Sequence, residues 1–180
     1  MAKTFPTERL EVNPLDDTFL SYTTKRYLEA ASQTYPAGSP VKNSSGYIAE
    51  WENVADADII GFVFTAGSND GSAGLSTVDV VLAVPDLRVE ANFLGAAAAD
   101  NVLAQADLFI ERDLLKGANL LGTGAAGWYI ADAADGAAVI IQEFDCFRVK
   151  FADRDNYKPE AGDTNARVRA AVKPGVSAWY

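Results

Sequence analysis

From residue 27 onward the chain alternates between short apolar runs and clusters of glycine, proline, serine and asparagine. The runs fall at 27–34, 47–51, 58–66, 77–84, 87–94, 108–111, 128–131, 138–144, 147–151 and 166–172. Valine, isoleucine and aromatic side chains dominate them, the residues that a pleated, half-buried surface accepts best. Turn chemistry stands between them at 36–38, 43–46, 68–74 and 162–165, where glycine or asparagine can take a positive φ. Residues 77–84 are apolar almost throughout and end at Pro85, which predicts a strand covered on both faces. Residues 87–94 alternate through Leu87, Val89, Ala91 and Phe93. Gly61 interrupts an apolar run, as at a bulge or where another backbone passes close. Only 95–105 favours helix, through its alanines and Val102-Leu103-Ala104. About ten short strands with close turns predict a mainly β fold, a barrel or a sandwich, with at most one or two short helices.

Residues 1–26 break this rhythm. They hold Pro6 and Pro14, no glycine, and scattered apolar residues with neither helical nor strand period. The pattern predicts an extended N-terminal arm (1–26) preceding a β-rich domain (27–180). Phe5, Leu10, Val12, Leu15, Phe19 and Tyr22 would be costly to leave in water. They are therefore candidate contact residues toward another surface, or toward the chain's own domain. Trp179 and Tyr180 raise the same question at the other end, because large aromatics either pack down or anchor in a neighbour.

Charge sharpens this division. The net charge of −10 is distributed as 0 over residues 1–26, −13 over 27–145 and +3 over 146–180. An acidic body disfavours nucleic acid, whose binding rests on neutralising phosphates. Solvated loops explain such a distribution, and so does complementary docking between copies or onto a partner. A single cysteine, Cys146, excludes an internal disulfide and reads as a small buried hydrophobe. The first residues lack the apolar stretch of a signal peptide, and no run approaches the roughly 20 apolar residues of a membrane-spanning helix. The expectation is synthesis in the cytoplasm without membrane association.

Candidate chemistry adds little. Without histidine, the Ser–His and Cys–His routes to an activated nucleophile are closed, as is the commonest metal ligand. Carboxylates are numerous, but no spacing sets two of them across a cleft. Gly122-Thr-Gly-Ala-Ala-Gly127 matches a dinucleotide fingerprint by spacing, yet Trp128-Tyr-Ile-Ala after it reads as strand where the fingerprint needs a helix. Asn43-Ser-Ser45 has sequon spacing and reads as a turn. The Asp- and Asn-containing stretches at 69–72 and 132–136 lack the ligand alternation of a calcium loop. No enzyme activity, cofactor or metal is expected. Trp51 and Trp128 read as core residues; at the surface they would suit a carbohydrate-binding module.

The order of elements resembles the capsid decoration, or cement, proteins of tailed bacteriophages. The resemblance covers roughly 27–172 and is carried by Tyr35-Pro-Ala-Gly38, then Pro-Val-Lys42, Asn43-Ser-Ser-Gly-Tyr47 and Ile60-Gly-Phe62. It continues through Val80-Val-Leu-Ala-Val-Pro85, Val89-Glu-Ala-Asn-Phe93 and Gly162-Asp-Thr-Asn-Ala-Arg-Val168. It implies a structural virion protein, a homotrimer on the outer surface of the expanded head that holds neighbouring major capsid protein subunits together. It implies no catalysis and no cofactor. Another phage structural part, such as a tail-tube, head-completion or minor capsid protein, remains the alternative, together with a carbohydrate- or cell-binding β-module.

Overall fold

The computed structural model describes residues 2, 10–13, 24–53, 55, 58–85, 87–118, 120, 125–133, 136–143 and 160–179. Their strands are β1 (Glu11–Asn13), β2 (Thr24–Leu28), β3 (Gln33–Tyr35), β4 (Pro40–Ser44), β5 (Tyr47–Glu50), β6 (Gly61–Val63) and β7 (Gly67–Asn69). There follow β8 (Thr77–Leu82), β9 (Arg88–Leu94), β10 (Glu111–Gly117), β11 (Gly127–Ala131), β12 (Ala137–Glu143) and β13 (Arg167–Val172). The chain is mainly β, as the alternation of runs and turns predicts.

Two sheets carry the architecture. The first has the order β2-β8-β6-β4-β5 and curls until its outer strands touch through a parallel bridge between Glu29 and Ile48. Curling leaves both faces of β8 buried over residues 80–82. Val78 and Val80 of β8 point inward to Tyr35, Val41, Ile48 and Val63. Val81, which follows Val80 and points to the opposite face, joins the larger core. This is why 77–84 is nearly all apolar. β3 and β7 form a separate two-stranded ribbon.

The second sheet runs β1-β9-β11-β10-β12-β13, and β13 pairs back onto β9. Strands β9, β11, β10, β12 and β13 therefore make a closed ring of pairings, to which β1 is appended. The main core lies inside this ring and against the first sheet. It gathers Val89, Ala91, Phe93, Leu114, Ile130, Val139, Ile141, Val168 and Ala170 with Phe62 and Ile59. Trp51 and Trp128 meet in it with ring centroids 5.9 Å apart.

Four expectations change. Residues 95–105 are not a helix: Ala97 and Ala98 take left-handed φ values of 59° and 58°, which stops helix growth. Only 3-10 turns form, at Ala96–Ala98 and Gln105–Asp107. Tertiary bonds outweigh alanine's propensity there, since Tyr129 Oη accepts the Ala98 N–H and the Leu103 N–H donates to the Asp163 carbonyl. The run 108–111 is a turn, and its strand begins at Glu111. The run 27–34 splits in two around Ser32, whose φ is 55°. The polar stretch 68–74 starts inside a strand, because Gly67–Asn69 pairs with Gln33–Tyr35. The predicted strand at 147–151 and the reading of Cys146 lie outside the described residues.

Residues 11–13 and 24–26, inside the predicted arm, pair with strands of the domain. β2 already begins at Thr24, and β1 pairs with β9 in the register Glu11–Glu90, Val12–Val89 and Asn13–Arg88. Leu10 is 2% exposed and belongs to the main core, against which Val12 also packs. Gly38 makes room for it: φ there is +87°, and a Cβ would overlap the Leu10 carbonyl oxygen. Gly38→Ala is expected to cost roughly 1–2 kcal/mol through left-handed strain and to displace Leu10 as well. Thermal unfolding checks this, and a melting temperature unchanged from the parent would refute it.

The other end of the chain is also tied down. After β13 the segment 173–179 crosses to the first sheet, where Ser177 bridges Ile59 in parallel and its Oγ donates to the Ala83 carbonyl at 2.7 Å.

Candidate functional site

The buried charged groups come first, because they are where chemistry would reside. Glu29 lies under the β3–β7 ribbon and accepts from Tyr35 Oη at 2.7 Å and Ser76 Oγ at 2.6 Å. A side chain at Gly67 would collide with the Tyr35 ring, so glycine is required above this pair. Burial, and then the Glu29 carboxylate, push the Tyr35 phenol far above its ordinary pKa, which leaves a hydrogen-bond donor rather than a base.

Glu50 at the end of β5 joins the two sheets. Its Oε1 accepts from Ser39 Oγ at 3.0 Å and Trp128 Nε1 at 3.1 Å, and its Oε2 takes Lys116 Nζ at 2.6 Å. Arg112 on β10 pairs with Asp107 at 2.7 Å and Asp132 at 3.3 Å, and lies over the Phe93 ring. Glu90 and Arg169 meet at 2.9 Å across β9 and β13. Each carboxylate is engaged by protein donors that fix strand to strand or sheet to sheet. Among the described residues no group of three or more His, Cys, Asp or Glu is placed to hold a metal ion.

One surface pair shows the opposite regime. Arg26 forks onto Asp79 at 2.8 and 3.0 Å, and these hydrogen bonds hold Asp79 below the usual carboxylate range. The stabilisation they give is present above Asp79's unfolded pKa and is lost as pH falls through its depressed folded value. Exposure keeps that contribution small.

The surface is distinguished by large apolar side chains. Phe109 is 73% exposed and Ile110 follows it on the same turn. Phe109 also has φ 61°, a left-handed conformation that a bulky residue rarely adopts. The turn is held tightly. The Phe109 N–H donates to the Ile141 carbonyl at 2.7 Å, and the Ile141 N–H returns a bond to the Ile110 carbonyl at 3.3 Å. Just before the turn, Asp107 accepts the Ala104 N–H at 2.8 Å while its other oxygen pairs with Arg112. A second apolar group sits at one end of the curled sheet, where Leu28 (47% exposed) and the Tyr47 ring both flank Gly74, with Leu75 (74% exposed) next to it in sequence. Phe64 stands exposed beyond β6.

Of the contact residues predicted from sequence, Leu10 is enclosed in the main core at 2% exposure. Val12 is half-buried on the same core. Both take the second of the two readings that the sequence leaves open, with their apolar surface toward the chain's own domain. Trp179 is 43% exposed, and its Nε1 donates to the Ile60 carbonyl at 2.6 Å, so it lies along the first sheet with part of its ring presented outward. Phe5, Leu15, Phe19, Tyr22 and Tyr180 lie outside the described residues. Phe109, Ile110, Leu28, Phe64 and Leu75 were not singled out from sequence, because each belongs to or adjoins a run that reads as ordinary strand. No protein-family model and no curated protein matches the chain.

Proposed function

We propose that this protein is a structural virion component that binds the outer surface of an expanded phage head and joins neighbouring major capsid protein subunits, as a homotrimer. It works by contact and not by catalysis. The observation that carries this reading is the Phe109 turn. A strained backbone that also exposes an aromatic ring is unfavourable twice in the free molecule. Such outliers persist where surrounding structure holds them for a purpose. Burying one such ring in a partner returns roughly 1.5–3 kcal/mol. Modest contacts suffice on a shell, because copies fixed on a lattice act at high effective concentration. The cross-linked body suits the task too, since Glu50, Arg112 and the Glu90–Arg169 pair resist shear between strands without any disulfide. The sugar-binding alternative needs Trp51 and Trp128 outside, and they are 1% and 2% exposed.

The test is binding of purified protein to expanded, undecorated heads, with bound copies counted and head rupture followed on heating. Saturable binding at many sites per head, with rupture moved to higher temperature, is the expected result. Phe109→Ser should weaken it about tenfold, which is 1.4 kcal/mol, while leaving the fold intact. Wild-type protein that neither binds heads nor delays rupture would overturn the reading.

A further inference from the structure

We infer that β1 and its Leu10 plug are exchangeable between copies: the Arg88–Glu90 edge of β9 and the space over Gly38 can receive residues 10–13 of a second molecule of this chain. The inference deepens the self-association proposed above by naming how one copy grips the next.

The ring topology is the first support. The pairing β9–β11–β10–β12–β13–β9 is complete without β1, so β1 can leave without opening it. The second is how β1 is attached. It is three residues long, pairs with β9 alone among the described residues, and uses the part of that edge which β11 does not reach. β11 meets β9 at Phe93 and Leu94, whereas β1 covers Arg88, Val89 and Glu90. The third is what its departure would leave. The main core would lose Leu10, and the β9 backbone at 88–90 would lose its partner on the edge opposite β13. Void and unpaired amides are both costly, so the site demands an occupant.

The fourth is reach. Residues 14–23 separate β1 from β2, which lies in the other sheet. Ten residues span up to about 33–36 Å when extended, close to the width of a domain of this size. An identical strand from a neighbour makes identical contacts. Exchange therefore needs little new binding energy, and high local concentration favours it. Passed head to tail, such exchange closes into a ring of copies when the rotation permits.

Two single variants in a Cys146→Ser background decide the matter. One chain carries Val12→Cys. The other carries Val89→Cys and a size tag. These positions are register partners and both pack on the core side. The two chains are refolded together and oxidised. A disulfide between the tagged and untagged chains, comparable in yield to the internal disulfide of the Val12→Cys/Val89→Cys double variant, is expected. Light scattering on the parent chain should then show an oligomer that Leu10→Ala diminishes. An internal disulfide in the double variant with none between the two chains would overturn the inference, as would no disulfide in either experiment. Head binding that persists without the mixed disulfide would remove exchange while leaving the capsid reading in place.

Discussion

Leu10→Ala should lower the free energy of unfolding by about 2–5 kcal/mol, the range for truncating an enclosed aliphatic side chain. Chemical denaturation with the slope held fixed is the measurement. The magnitude follows from position. Leu10 is 2% exposed, Gly38 has no side chain to fill the vacated volume, and the large rings of Trp51 and Trp128 in the same core cannot relax into it easily. Val102→Ala, at a site 55% exposed, should stay within about 0.5 kcal/mol of the parent. If Leu10→Ala behaved like Val102→Ala, the placement of the N-terminal segment in the core would be wrong. The cost is the same whichever copy supplies the leucine.

Glu50→Ala is expected to cost about 1–3 kcal/mol, because it strands the buried Ser39 hydroxyl and breaks the Lys116 pair, while Trp128 Nε1 keeps Ser39 Oγ at 3.0 Å. Ser39 and Trp128 are 0% and 2% exposed, so water cannot readily replace the lost acceptor. Lys116 is about one-third exposed and can turn toward solvent, so it adds least to the loss. Glu50→Gln keeps an acceptor for one donor and gives up the charge, and it should fall between parent and alanine variant. Thermal and denaturant unfolding of the three proteins gives the order. Equal stability of Glu50→Ala and parent would mean that the sheets are held by apolar contact alone.

These two residues show what sequence patterning can and cannot reveal. The strands at Thr77–Leu82, Gly127–Ala131, Ala137–Glu143 and Arg167–Val172 were legible because burial on both faces writes itself as an apolar run. The tryptophan core was legible for a similar reason, since strand positions beside turns place large rings inward. Leu10 was not, because a single plug before a three-residue strand has no period to detect. Glu50 and Glu29 were not, because a glutamate in a strand reads as a solvated face. Its burial depends on Ser39, Trp128 and Lys116, or on Tyr35 and Ser76, which lie in other strands or turns. Phe109 was hidden inside Leu-Phe-Ile, an apolar triplet that reads as strand. The alanines at 96–99 misled in the other direction, since local preference yielded to the bonds from Tyr129 and Asp163.

The tie between the last residues and the first sheet sets an order of events. Ser177 reaches Ile59, and the Trp179 indole reaches Ile60 across 119 positions of sequence. β13 closes the ring on β9 across more than seventy. Contacts this distant must bear their loop-closure entropy before they give anything back, which makes folding slow. A nascent chain lacking β13 cannot close its ring, and the edges of β9 and β12 that β13 covers stay unpaired until residues 167–172 emerge. A product truncated before β13 cannot form the closed ring on which the proposed lattice contacts are built.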